Sequence, residues 1–178
     1  QSGNISFQPE TIDISAAADE NIELLEAIAE KKNITLISNI PHDSNVFADS
    51  NMLSGILRNL LSNAIKFTGE FGKVTVDIND EDGLFYEIAV CDTGIGISEE
   101  DIKKLFRIDV HHTTIGTSKE NGTGLGLILC KEFVDINGGK IRVESKSGEG
   151  SKFIFSMQKA TQYINVDPKN KVNVLSLN

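Results

Sequence analysis

The hydrophobic positions of this chain switch between two periods, and the switches divide it into alternating strands and helices. Residues 7–14 alternate loosely with Pro9 inside, which suits an edge strand better than a central one. Ser15 and Asp19 stand as caps for a helix over residues 16–31, where Ala18, Ile22, Leu25 and Ala29 recur at helical spacing. The ordinary role for such a helix is to cover a sheet. Residues 34–40 read as a strand stopped by Pro41, and Val46-Phe47-Ala48 as a short second piece. Asp49 is placed to cap a long helix ending near Phe67, with an apolar stripe of Leu53, Ile56, Leu57, Leu60, Leu61, Ala64 and Ile65.

Two strands are expected over residues 73–78 and 84–91, joined by the turn Asn79-Asp80-Glu81-Asp82-Gly83. That turn looks superficially like a calcium loop. Its glycine falls one position late, and Ile88 stands where the closing glutamate belongs, so the reading is rejected. A short helix over residues 99–106 follows. Residues 107–123 are polar, glycine-bearing and aperiodic, and loops that long are usually functional or disordered. A helix over residues 125–136, closed by Asn137-Gly138-Gly139, leads to a last hairpin of residues 140–145 and 152–157 across Gly148 and Gly150. Beyond Lys159 the chain is polar and weakly patterned, as a tail or linker would be, and no internal repeat is present.

The 178 residues suit one domain with a proper core, and 39% hydrophobic with 24% charged content is ordinary for a globule. No apolar run approaches the roughly 20 residues of a membrane span. The start, Gln1-Ser2-Gly3-Asn4, carries neither part of a signal peptide and no initiator Met, as expected of a piece of a longer chain. A net charge of −9 argues against sequence-independent binding to nucleic acid, which needs a basic face. The same acidity repels a polyphosphate at long range, so a nucleotide site must place its cations and metal locally. Cys91 and Cys130 sit inside apolar patterns and read as small buried hydrophobes in a reducing compartment.

Three elements carry candidate chemistry. Asn59, Asn63 and Lys66 are spaced by four and three residues and share one helix face. Magnesium takes oxygen ligands and keeps several waters, so one amide oxygen from Asn63 plus phosphate oxygens would suit it, with Lys66 one turn on to reach phosphate. The plain alternative is a solvated polar face. Asp92 ends a strand that is apolar at Ile88, Ala89, Val90 and Cys91; a half-buried carboxylate there needs donors, and the exocyclic amine of adenine is one. Gly94 and Gly96 let the backbone turn and approach a ligand, although Asp-Thr-Gly also occurs in plain turns. Gly122, Gly124 and Gly126 precede a helix whose first turn offers free amides to phosphate. This run is neither the phosphate loop ending in Gly-Lys-Ser/Thr nor a dinucleotide fingerprint. The long loop before it suits a lid.

In this order, from about Phe7 to Met157, the chain resembles the catalytic ATP-binding domain of two-component sensor histidine kinases, in the wider group shared with gyrase, the heat-shock chaperone ATPase and mismatch-repair ATPases. Asn59-Leu60-Leu61-Ser62-Asn63-Ala64-Ile65-Lys66-Phe67-Thr68 looks like the N box of that group and Asp92-Thr93-Gly94-Ile95-Gly96-Ile97 like its first glycine box. Leu105-Phe106-Arg107 looks like the F box, and Gly122-Thr123-Gly124-Leu125-Gly126-Leu127 like the second glycine box. The resemblance implies an α+β fold of the Bergerat type, a two-layer sandwich with a mixed sheet covered on one face by about three helices and a mobile ATP lid. It implies that Asn63 coordinates Mg2+ and Asp92 reads adenine. Asn59, Lys66 and the second glycine loop then hold the phosphates of ATP, Phe67 lies near the nucleotide, and Ser151 helps read adenine. Residues 1–159 would form the catalytic domain and 160–178 the tail.

The water-hydrolysing relatives carry a glutamate as general base one turn before the magnesium asparagine. Here that position is Asn59, an amide that takes no proton near neutral pH, so the resemblance points to ATP held for an outside nucleophile. The implied partners are a histidine-containing dimerisation domain of the same parent protein and a downstream response-regulator receiver domain. No nucleic acid and no direct membrane contact are implied, in a cytoplasmic setting. His42-Asp43 begins like a phosphoacceptor motif, but Pro41 precedes it and no helix follows; His111 and His112 fall in the lid. Two other readings share these motifs: an ATPase of the gyrase or chaperone kind, and a non-catalytic ATP-gated docking module.

Overall fold

The computed structural model describes residues 6–80, 83–106, 117 and 125–160. Its elements follow in the order β1 (Pro9–Asp13), α1 (Ile14–Glu30), β2 (Thr35–Ser38), β3 (Asn45–Asp49), α2 (Ser50–Phe67), β4 (Lys73–Asp80), β5 (Phe85–Asp92), α3 (Glu99–Ile102), α4 (Gly126–Ile136), β6 (Ile141–Ser145) and β7 (Ser151–Gln158). Five strands make one sheet in the order β2-β4-β5-β7-β6, in which β2 and β4 are parallel and the other pairs antiparallel. The remaining two, β1 and β3, form an antiparallel ribbon of their own. The bridge between Val46 and Lys159 ties that ribbon to the end of β7. Among the described residues no helix is long and apolar enough to cross a membrane.

The core lies between the sheet and the layer of α1, α2 and α4. Val74 and Val76 of β4, Ile88 and Val90 of β5, and Phe153, Phe155 and Met157 of β7 meet the buried stripe of α2. That stripe is the one expected from spacing, and Leu53, Ile56, Leu57, Leu60 and Leu61 are all fully buried. An α+β sandwich with a mixed sheet is therefore the observed class. Asp49 caps α2 as expected: its Oδ1 accepts from the amides of Asn51 and Met52, and its Oδ2 from Gln8 N.

Two local expectations need correction. The cap of α1 is Asp13, whose side chain accepts from Ser15 N, and the helix begins at Ile14. Ser15 is instead buried against His42, with Oγ and Nδ1 3.1 Å apart, and Asp19 lies within the helix. The helix expected over residues 99–106 is α-helical only to Ile102. It then tightens, because Lys104 N and Leu105 N bond back to the third residue before them, Asp101 and Ile102. The first strand is an edge, as Pro9 suggests, and its sheet is the two-stranded ribbon with β3. Cys91 and Cys130 are free thiols; burial raises both, and Cys130 is pushed up to about 12.

Removing the cap of α2 should loosen the helix that carries both core and site residues. Asp49→Ala should cost about 1–2 kcal/mol, read from urea denaturation midpoints at constant slope.

Candidate functional site

Strand register places the carboxylate. Val74, Asp92, Ser151 and Ser145 stand side by side across β4, β5, β7 and β6. The next row inward is Val76, Val90, Phe153 and Val143, and the one after is Ile78, Ile88, Phe155 and Ile141. Side chains two apart on a strand share a face, so Asp92 points to the helix-covered side, as Val90 does. The apolar rows thus end in a polar one. Gly94 N donates to Asp92 Oδ1 at 2.8 Å, and Ser151 N donates to the same oxygen at 3.3 Å. No donor among the described residues bonds Oδ2. Burial raises the Asp92 pKa above the ordinary aspartate value, although both amides pull it down.

Ser145 extends this polar row. Its hydroxyl donates to Gly150 O at 2.8 Å, accepts from Ile97 N at 2.8 Å and lies 3.0 Å from Ser151 Oγ. Ile97 and Gly96 of the first glycine loop are thereby held to the β6–β7 hairpin, where Gly96 turns at φ 67°. The same loop reaches the end of α2, because Ile95 N donates to Phe67 O at 3.1 Å. Gly94 is needed for that approach: a Cβ there would lie 2.4 Å from Phe67 O and 2.7 Å from Asp92 Oδ1.

Asn59, Asn63, Lys66 and Phe67 form the half-buried face of the last three turns of α2. Asn59 Nδ2 donates back to Gly55 O at 3.0 Å, which turns its Oδ1 to the start of α4. A Cβ on Gly126 would lie 2.5 Å from that oxygen, so a larger residue there would push the Asn59 amide aside. The Asn63 side chain makes no hydrogen bond to another described residue. The Lys66 ammonium lies 4.7 Å from the Phe67 ring centroid. Leu125 is the cap residue of α4, exposed and without a side-chain cap bond, so the first amides of α4 lack side-chain partners there. Leu127 and Phe106 pack on the core, as does Ile97. Arg107, Gly122, Thr123 and Gly124 lie outside the described residues, as do His111, His112 and the tail from residue 161.

The structure thus gathers the asparagine helix, the first glycine loop, Ser151 and the start of α4 around the C-terminal half of α2. Residue types fit a magnesium nucleotide on one observation above all. Two polar groups in this corner, Asp92 Oδ2 and the Asn63 side-chain amide, have no hydrogen-bond partner among the described residues. A cavity of about 380 Å³ between β1, α1 and α2, lined by Glu10, Asp13, Glu20 and Asn21, shares no residue with this corner.

A family model described as histidine kinase-, DNA gyrase B- and HSP90-like ATPase matches residues 48–161. The adaptive-response sensory kinase SasA of Parasynechococcus marenigrum (strain WH8102) is 35% identical over 154 residues, which are 85% of this chain and 39% of that protein. The chain therefore spans about two fifths of the length of that curated relative. The nucleotide-free catalytic domain of histidine kinase ThkA superposes with a TM-score of 0.73 at 32% identity, over 85% of this chain and 96% of that one. Full-length ShkA in complex with AMPPNP gives 0.71 at 27% identity, over 88% and 32%. ThkA in complex with the response regulator protein TrrA gives 0.70 at 28%, over 88% and 43%. The chain belongs to the histidine kinase-, DNA gyrase B- and HSP90-like ATPase family, as a histidine kinase catalytic domain.

Sequence reasoning missed Ser145. It ends one strand of the last hairpin and Ser151 begins the other, so only the register reveals that the two hydroxyls meet.

The raised pKa of Asp92 has a stability consequence with a definite sign. The folded carboxyl holds its proton more tightly than the unfolded one. Its penalty therefore grows as pH rises from the ordinary aspartate value through the folded one, and remains in full above that. Asp92→Asn carries no charge and keeps an oxygen for both amides. Its melting temperature should equal or exceed that of the wild type near neutral pH, with the gap closing in acid. A clearly lower melting temperature near neutral pH would contradict this account.

Proposed function

We propose that this chain binds Mg-ATP and donates the γ-phosphoryl group to a histidine on a separate helical dimerisation domain, from which it passes to the receiver domain of a response regulator. The observation that carries the reading is the open oxygen of Asp92, beside the Ser151 hydroxyl and facing the layer that holds Asn63. The ionised carboxylate would accept from the exocyclic amine of adenine through Oδ2 while Gly94 N and Ser151 N keep Oδ1 fixed. Ser151 would assist, and Gly94, Gly96 and Ile97 would shape that end of the site. Asn63 would hold magnesium by its amide oxygen. Lys66, Asn59 and the first amides of α4, with Leu125, Gly126 and Leu127, would meet the phosphates. Gly122, Thr123, Gly124 and Arg107 belong to the same expectation, and Phe67 and Phe106 would lie near the nucleotide.

Bound magnesium supplies charge neutralisation for phosphoryl transfer, a reaction that depends mainly on positioning and electrostatics. Asn59 supports transfer over hydrolysis: its amide is bonded to Gly55 O and packed on Gly126, and it takes no proton from water. His42 supports an outside acceptor, since its Nδ1 meets Ser15 beside the start of α1 rather than the corner at Asp92. The complexes of ShkA with AMPPNP and of ThkA with TrrA agree in kind with the nucleotide and the receiver partner.

Labelled ATP tests the transfer. The chain mixed with a histidine-bearing dimerisation domain of the same parent should place an acid-labile label on that histidine, and the chain alone should not label itself. A label on His42 in the chain alone would contradict the proposal. In calorimetry, Asn63→Ala should remove the gain in ATP affinity that magnesium gives, bringing titrations with and without the ion together. Affinity for ATP should also fall as pH drops through the raised Asp92 pKa, because the protonated acid no longer offers two acceptor oxygens.

A further inference from the structure

The last turn of α2 ends on carbonyls that the helix itself cannot satisfy. Thr68 N closes Ala64 O at 3.0 Å and Ile95 N closes Phe67 O at 3.1 Å. Between them stand the carbonyls of Ile65 and Lys66, and both are met by one side chain from outside the helix. Lys32, just past the end of α1, is 8% exposed, and its Nζ lies 2.9 Å from Ile65 O and 3.1 Å from Lys66 O. The same ammonium lies 2.7 Å from Thr117 Oγ1. Thr117 in turn lays its own N–H on Lys66 O at 3.1 Å, and its hydroxyl lies 3.1 Å from Lys66 O and 3.0 Å from Thr68 O.

We propose that Lys32 is a positioning residue for the phosphate end of the site, acting through Thr117 and the last turn of α2. The inference rests on the Mg-ATP reading above. Helix ends fray, and this one carries Lys66 and Phe67 on its final turn and Asn63 one turn earlier. A cation there complements the negative end of the helix dipole, and a buried one is screened little by solvent. Holding the peptide planes of Ile65 and Lys66 fixes the direction in which the Lys66 side chain leaves the helix. The hydroxyl of Thr117 completes the clamp, because it takes a bond from Lys32 and bridges to the carbonyls on either side of Phe67. Asp92 and Ser151 lie on the sheet, outside this clamp, so adenine recognition does not depend on it.

The full chain tests this with two ligands. Lys32→Met keeps the stem and removes the ammonium; Thr117→Val removes the hydroxyl and leaves the ammonium on the helix. Each should weaken Mg-ATP binding in calorimetry by about tenfold, the size of a coupling between contacting groups, while adenosine titrated by NMR binds as to the wild type. The double variant should lose little more than Lys32→Met alone. Equal weakening of ATP and adenosine, additive losses, or unchanged ATP affinity would overturn the proposal. If Lys32→Met fails to fold, Thr117→Val decides alone, and unchanged ATP affinity in that variant overturns it. A wild type that binds no Mg-ATP would instead remove the nucleotide reading itself.

Discussion

A carboxylate that ends a row of core-facing side chains sets the terms for the rest of this molecule. Asp92 follows Ile88 and Val90 on the helix-covered side of β5, at the position where a third apolar residue would complete the core. A charge in that place must find donors, and backbone amides supply them. Gly94 has to lie close because its amide serves Oδ1, and its lack of a side chain also lets the loop touch Phe67 O. The β6–β7 hairpin brings the second amide, from Ser151, and the Ser145 hydroxyl that anchors Ile97. The cost of burying the carboxylate is seen in its raised pKa, and its second oxygen has no donor among the described residues.

Helix α2 carries two jobs on opposite faces. One face supplies the largest block of the core, and the other presents Asn59, Asn63, Lys66 and Phe67. Both glycine motifs meet that second face closely: a Cβ on Gly94 would strike Phe67 O, and one on Gly126 would displace the Asn59 amide. The end of the helix is closed from three separate stretches of chain, through Lys32, Ile95 and Thr117. Site geometry and core packing are therefore set by the same helix, and a change that tilts one moves the other.

Much of this was legible in the residues. The stripe of α2 has a strict helical period, so its buried positions and its cap at Asp49 followed directly. The β4–β5 and β6–β7 hairpins were bounded by turn residues and came within about two positions of their observed ends. The glycine runs and the asparagine face carried the family resemblance. What escaped was whatever depends on contacts between distant segments. Asp13 won the cap of α1 over Ser15 because Ser15 is drawn to His42 across the chain. The pairing of β1 with β3 escaped because Val46-Phe47-Ala48 is too short a run to signal a partner. The row of Asp92, Ser151 and Ser145 exists only in the register, and Lys32 sits in a polar run, Lys31-Lys32-Asn33, that carries no periodic signal.

The central claim is that the corner between β5, the end of α2 and the start of α4 receives an adenine nucleotide. Backbone amide shifts of the labelled chain, followed as a non-hydrolysable ATP analogue and magnesium are added, test it most directly. The account predicts saturable shifts at Gly94, Ser151, Asn63 and Lys66 and the first turn of α4, with residues around the cavity of Glu10, Asp13 and Glu20 unmoved. An unchanged spectrum at millimolar nucleotide, or shifts gathered at that cavity instead, would contradict it.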